Sequence, residues 1–111
     1  MGLRRYKRHD TAPSPMAYLQ TAEGLPVNLT GATILYTLRN AKTKQFKILR
    51  RAGTVLDAAK GLVQCDLQPN DTAELGIFEE EWEVTYTNGK KQSFPLMDVQ
   101  QVVIVPDIDE S

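Results

Sequence analysis

The sequence predicts an all-β fold, an antiparallel β-sandwich, from one hairpin signal and the pattern on either side of it. Residues 78–87 and 91–96 are two runs in which apolar and polar side chains alternate, and successive side chains of a strand point to opposite faces. Asn88-Gly89 lies between the runs, and Asn-Gly favours a type I′ turn, which needs positive φ at both central residues. One face of this hairpin is apolar, so we expect a second sheet to cover it.

The first strand of the hairpin has an inner face and an acidic outer face. The inner face carries Phe78, Glu80, Trp82, Val84 and Tyr86. The outer face carries Glu79, Glu81 and Glu83. We expect Trp82 to anchor the core. A row of carboxylates along one strand face is far more typical of a solvated surface than of a pair of catalytic acids.

Further strands are predicted around this hairpin, giving about seven to eight strands and one short helical turn. Residues 33–39 are rich in β-branched and aromatic residues, which favour strands, and Ile34, Tyr36 and Leu38 take the inner side. The remaining predicted elements are a strand over 15–20, a strand over 45–49 with Phe46 and Ile48 inward, a hairpin of 54–57 and 62–67, a helical turn over 69–76 capped by Asn70 or Asp71, and a last strand over 100–105.

Length and composition predict one domain. The chain has 111 residues, 41% of them hydrophobic, and a formal net charge of -1. It can therefore bury a core without metal or disulfide bonds, and no overall field attracts nucleic acid or a membrane. Cys65 is the single cysteine, which favours synthesis in a reducing cytosol. No apolar run approaches the ~18 residues of a membrane span. We divide the chain into an extended basic arm (1–13), a β-sandwich domain (14–106) and an acidic tail (107–111).

The arm is rich in positive charge and has no helical or strand period. Its cations are Arg4, Arg5, Lys7 and Arg8. Pro13 and Pro15 then oppose a helix. We expect the arm either to dock onto a neighbouring subunit or to contact phosphates, where each cation contributes through counterion release. A frayed, solvated terminus is the alternative.

A second basic segment, 39–51, holds six positive charges and no acid. One interpretation is a recognition hairpin for nucleic acid or another polyanion. The other is an edge strand that its lysines protect from association with other sheets. Binding to nucleic acid would be favoured by exposed aromatic residues for base stacking. Phe46 is the only aromatic residue here and falls on the inward side, so we favour edge protection.

The sequence contains no recognisable pattern of catalytic residues. His9 is the only histidine, so there is no zinc-ligand spacing and no Ser-His-Asp set. The glycines form no phosphate-binding motif, and Cys65 is most simply a small buried side chain. We expect no catalytic residue, no cofactor, no metal and no small-molecule substrate, and hence a protein that is not an enzyme.

Several segments, taken in order, resemble the N-terminal domain family of phage baseplate upper proteins. The segments are Tyr6-Lys7-Arg8-His9-Asp10-Thr11, Gly24-Leu25-Pro26-Val27-Asn28-Leu29-Thr30-Gly31-Ala32-Thr33, a strand ending in Leu38-Arg39, Asp71-Thr72, residues 76–84, and Ser93-Phe94-Pro95 after the Asn-Gly turn. The second is similar to the family's Gly-x-Pro-Val-Asp-Leu-Thr-Gly-Ala-Thr. The similarity covers roughly residues 6–105.

The resemblance implies an immunoglobulin-like β-sandwich that serves as a structural part of a tailed-phage virion, in the tail, baseplate or neck, or attached to the head. The expected partners are other virion proteins and copies of the chain itself, and the expected location is the virion, with synthesis in the host cytoplasm. No fibre-forming segment follows the domain, which favours an adaptor or decoration subunit. The expected partner-binding residues are Arg4, Arg5, Tyr6, Lys7, Arg8, Leu35, Val103 and Val105. A nucleic-acid-binding module that uses the arm and residues 39–51 is the alternative.

Overall fold

The computed structural model describes residues 3–108 and confirms the predicted all-β sandwich. A six-stranded sheet, in the order β1-β9-β7-β3-β4 with β8 also on β7, packs against a three-stranded sheet in the order β2-β6-β5. The strands are β1 (Leu3–Lys7), β2 (Met16–Tyr18), β3 (Thr33–Asn40), β4 (Phe46–Ala52), β5 (Thr54–Asp57), β6 (Leu62–Gln64), β7 (Gly76–Thr85), β8 (Lys91–Phe94) and β9 (Gln100–Val105). A 3-10 turn, Pro69–Thr72, precedes β7.

Strand β7 is the centre of the larger sheet. It pairs with β3 along its length, and on its other side its first half pairs with β9 and its second half with β8. Alternation places Phe78, Trp82 and Val84 inward, and all three are buried. The Trp82 and Tyr36 ring centroids are 4.7 Å apart with the planes tilted by 57°, a favourable aromatic geometry. Trp82 is therefore the core residue that the sequence predicts.

The hairpin at Asn88-Gly89 forms where the sequence predicts it, but through a different turn. Gly89 has a φ of 83°, whereas Asn88 is not among the residues with positive φ. Tyr86 N donates to Lys90 O, and Gly89 N donates to Tyr86 O. This is a three-residue loop in which a glycine in the left-handed region follows a tight turn. The predicted type I′ turn is therefore wrong.

Part of the segment predicted as a basic arm is built into the sheet. Leu3–Lys7 pairs in parallel with β9, from Leu3 opposite Gln101 to Lys7 opposite Val105, so the larger sheet is mixed rather than purely antiparallel. The physical reason is that Tyr6 takes an inward position and is buried. The sandwich thus begins at Leu3 and not at residue 14. Met1 and Gly2 of the arm, and residues 109–111 of the acidic tail, lie outside the described residues.

Phe46 does not lie on the inner face as the alternation predicts. Leu38 pairs with Ile48 and Arg39 pairs with Phe46, so that Lys47 is an extra residue in β4. This bulge reverses the orientation of the strand before it. Ile48 is buried, as predicted, whereas Phe46 is 55% exposed beside Arg39 on the outer face.

The helical turn is present but is not capped as expected. The Asp71 carboxylate is buried, accepts a hydrogen bond from Gln68 N at 2.7 Å and binds both terminal nitrogens of Arg51, at 2.6 and 3.0 Å. Asp71 therefore fastens the turn to β4 and to the residue before the turn. Neither Asn70 nor Asp71 occupies the N-cap position, because the turn begins at Pro69 and Gln68 precedes it.

Truncation of Trp82 tests its place in the core. We expect Trp82→Ala to lower the free energy of unfolding by about 3–5 kcal/mol, because it removes a large buried side chain and leaves a cavity. Urea denaturation checks this. Leu49→Ala, at an exposed position of β4, is the control and should change stability by less than about 0.5 kcal/mol. Equal stability of the two variants would show that the indole is not a core residue.

Candidate partner-binding surfaces

The eight residues predicted to bind partners divide between the two faces of the larger sheet. Arg4 and Tyr6 point inward, and Tyr6 is buried. Arg5, Lys7, Val103 and Val105 lie together on the outer face, because Arg5 pairs with Val103 and Lys7 pairs with Val105. Leu35 is on the same face but farther along the sheet, opposite Glu83 and Ala52. Arg8 follows β1, and its main-chain nitrogen donates to Val105 O at 2.9 Å.

Arg4 belongs to a polar network inside the sandwich. Its Nη2 donates to Glu80 Oε2 and to Met16 O, both at 2.9 Å. The hydroxyl of Tyr36 donates to Glu80 Oε1 at 2.7 Å. The side chain of Glu80 is only 1% exposed, so its negative charge depends on these two donors. The network joins β1, β3 and β7 and reaches the main chain of β2.

The outer face next to β1 carries a cluster that we call the edge patch, formed by Leu3, Arg5, Lys7, Ile77, Val103 and Val105. Ile77 pairs with Val103, so the patch extends across three neighbouring strands, β1, β9 and β7. Leu3 and Ile77 are about half exposed, and the two valines are partly buried. Arg5 and Lys7 are exposed at the margin and have no partner among residues 3–108. Leu3 and Ile77 are not in the predicted set, since Leu3 joins the patch through the pairing of β1 with β9 and Ile77 through the pairing of β7 with β9.

Farther along, the outer face carries ion pairs between the acidic side of β7 and the basic segment 39–51. Arg39 pairs with Glu79 at 2.7 Å, and Arg50 pairs with Glu83 at 2.9 Å. The guanidinium of Arg39, with help from Lys44, lowers the pKa of Glu79. Outside β7, Lys47 pairs with Glu74, and Arg51 pairs with the buried Asp71. Five of the six cations thus face acids of the same chain.

A groove opens at one side of the sandwich, between β2 of the smaller sheet and the segment 95–99 that follows β8. Its volume is about 320 Å³, and its floor includes Trp82 and Phe94. The rim includes Tyr18, Leu96 and Met97, which are exposed. The sequence does not predict this site, because residues 91–96 alternate as one continuous strand whereas β8 ends at Phe94. The group of apolar residues directly after Pro95 is the signal that indicates it.

Two tyrosines and the single cysteine are buried and neutral. Burial raises the pKa of Tyr6 to about 12 and that of Cys65 to about 11. Burial, followed by the charge of Glu80, raises the pKa of Tyr36 well above its ordinary value. A thiol in this state is a poor nucleophile. Cys65 therefore acts as a packing residue.

Comparison of the chain with protein-family models gives no match, and comparison with curated proteins gives none either. Among residues 3–108, no group of three or more His, Cys, Asp or Glu side chains is arranged to hold a metal ion. The same part of the chain contains no helix that is long and apolar enough to cross a membrane.

Loss of Arg4 tests the buried network. We expect Arg4→Met to lower the free energy of unfolding by about 3–5 kcal/mol, because the buried Glu80 carboxylate loses its charged partner. Arg5→Met is the matched control, since it makes the same change one residue away on the outer face. That variant should change stability by less than about 0.5 kcal/mol. Urea denaturation of both variants gives the comparison, and equal losses would contradict the internal ion pair.

Alkaline pH should weaken the fold through the buried tyrosines and cysteine. Their ordinary pKa values are 10.0 and 9.0, and in the folded protein Tyr6 and Cys65 titrate near 12 and 11. The unfolded chain therefore loses these protons first, so stability is complete below about pH 9 and falls as pH rises toward 12. The urea midpoint measured from pH 7 to 10.5 checks this. Cys65→Ala should reduce the decrease in the urea midpoint between pH 9 and 10. A midpoint that does not change with pH in the parent protein would contradict the raised pKa values of the buried groups.

Proposed function

We propose that this protein is a structural component of a tailed-phage virion, a β-sandwich adaptor or decoration subunit that binds other virion proteins and copies of itself. The observation that carries the proposal is the edge patch. In this role the protein binds its partners and catalyses no reaction. Its place on the particle is in the tail, baseplate or neck, or attached to the head.

The edge patch has the anatomy of a protein interface. Single exposed apolar residues are ordinary on protein surfaces, whereas contiguous ones rimmed by polar groups mark binding sites. Here Ile77, Val103 and Val105 are neighbours on two paired strands, and Arg5 and Lys7 lie on the adjoining strand. A partner with an apolar centre and acids at its margin would match this surface.

The family resemblance supports the same role. The segments that carry it lie at structurally important points: Tyr6 is the buried residue of β1, and Thr72 in the 3-10 turn donates its hydroxyl hydrogen to Asp10 O at 2.8 Å. The family's members use their sandwich to hold a fibre, a receptor-binding protein or a neighbouring ring. The resemblance implies a scaffold of this kind and brings no catalytic residues with it.

The alternative, a nucleic-acid-binding module, has less support. Binding to phosphates needs cations that are free to release counterions. Five of the six cations of residues 39–51 are paired with acids of the same chain, and Arg4 of the predicted arm is committed to Glu80. Phe46 is exposed and could stack on a base, but it is a single ring beside the Arg39–Glu79 pair.

Incorporation into particles tests the proposal. In a phage that encodes this chain, mass spectrometry of purified, nuclease-treated virions should find it at a fixed ratio to the other structural proteins. Val103→Asp combined with Arg5→Glu should retain the fold, because both side chains are on the outer face, and should reduce incorporation at least about tenfold. Lys60→Glu, at an exposed turn, is the control and should be incorporated normally.

Two results would overturn the proposal. One is a chain that stays in the soluble fraction and is absent from virions. The other is binding of the isolated protein to duplex DNA at physiological salt with a steep loss of affinity as salt rises, which is the behaviour of the alternative module.

A further inference from the structure

The groove lies between two strand edges to which no further strand is added in the described part of the chain. Strand β2 is the last strand of the smaller sheet, and β8 pairs with β7 alone. An edge of this kind presents unpaired N–H and C=O groups and can bind an added strand. Both edges border a cavity of about 320 Å³ with aromatic side chains at its floor. The cavity is therefore bordered by one edge strand of each sheet.

The segment after β8 is also incompletely covered. No main-chain hydrogen bond of residues 96–99 to another part of the described chain is present, although three of the four residues are apolar. Leu96, Met97 and Val99 are 40%, 78% and 44% exposed. Exposed apolar residues grouped beside an apolar cavity are typical of a surface that a partner covers.

The indole that lines the groove has a hydrogen-bond donor without an acceptor. Trp82 lines the cavity, and its Nε1 is buried with no partner among residues 3–108. The opposite end of the ring, Cζ3, lies near Gly53. A buried N–H without an acceptor is unfavourable. The indole N–H therefore reports on any occupant that packs against the ring.

The groove is lined by acidic side chains and no basic ones. Its lining contains Glu80 and Asp98 and no lysine, arginine or histidine. Glu80 is already neutralised by Arg4. Asp98 has no ion-pair or hydrogen-bond partner in the described residues, which leaves one uncompensated carboxylate at the rim. A cation on the occupant would complement it.

We propose that the groove binds an extended segment of a partner protein that carries a bulky apolar side chain with a lysine or arginine two residues away, on the same face of the segment. The apolar side chain fills the space between Phe94 and Leu96 and packs near the indole of Trp82. The basic residue pairs with Asp98. This binding site is separate from the edge patch and does not depend on the proposed role in a virion.

The single tryptophan provides a direct measurement. A ¹⁵N-labelled sample gives one indole N–H signal, and we expect its chemical shift to change on binding. The probes are four acetylated, amidated peptides, Thr-Lys-Thr-X-Thr-Lys-Thr, with X being Leu, Ile, Phe or Trp, each unlabelled and added to millimolar concentration. Two matched probes serve as controls. The peptide with Ala at X should bind at least about tenfold more weakly. The peptide with both Lys replaced by Glu should bind roughly threefold more weakly.

Surface variants locate the site without threatening the fold. Met97→Ser and Asp98→Asn should each weaken binding of the best peptide. For Asp98→Asn we expect a loss of roughly threefold, and this variant should no longer prefer the Lys peptide over the Glu peptide. Leu49→Ser, on β4 at the far edge of the larger sheet, should leave peptide binding unchanged. Val103→Asp in the edge patch should also leave it unchanged. Loss of virion incorporation without loss of peptide binding would separate the two surfaces.

Three results would overturn the proposal. The first is an indole signal that none of the four peptides moves. The second is equal binding of the Lys and Glu peptides, which would exclude the role of Asp98. The third is movement of the signal when the concentration of the protein itself is raised, with reversal by Met97→Ser, which would assign the groove to a second copy of this chain.

Discussion

The structure depends on the inward face of β7, because that strand alone contacts three other strands of its sheet. Its pairing with β3, β8 and β9 sets the register of the larger sheet, and its inward side chains Phe78, Trp82 and Val84 supply the centre of the core. Glu80 interrupts this apolar face. A charged group in such a place is tolerated only when it is paired and hydrogen-bonded, so the fold must bring Arg4 and Tyr36 to it.

This requirement explains why the N-terminal segment is a strand and not a free arm. Arg4 can reach Glu80 only if β1 lies beside β9 with Arg4 and Tyr6 facing inward, and that orientation places Arg5 and Lys7 outside. One polar contact in the core therefore determines which basic side chains are exposed on the surface. Arg5 and Lys7 of the edge patch and Arg4 of the buried network lie on opposite faces of β1, which links the stability of the sandwich to the surface exposed at this edge.

The sequence predicts the parts of the fold that depend on simple alternation. The inner faces of β3 and β7 and the place of the Asn88-Gly89 hairpin follow from a period of two, since no residue is inserted within those strands. Phe46 was assigned to the wrong face because Lys47 is an extra residue in β4, and an insertion cannot be seen in the pattern. β1 was missed because cations occupy both of its faces. The groove could not be predicted, since it requires the bend after Pro95 to approach β2 from the other sheet.

The parallel pairing of β1 with β9 also has a mechanical consequence. The two strands run in the same direction, from Leu3 beside Gln101 to Lys7 beside Val105. Tension applied at Leu3 and at Val105 would slide one strand along the other, so the hydrogen bonds between them would be loaded in shear and share the force. Strands that peel apart break their bonds one at a time and yield more easily. Resistance to forced unfolding is set by the rate of rupture, and this geometry slows rupture when force acts along these two strands.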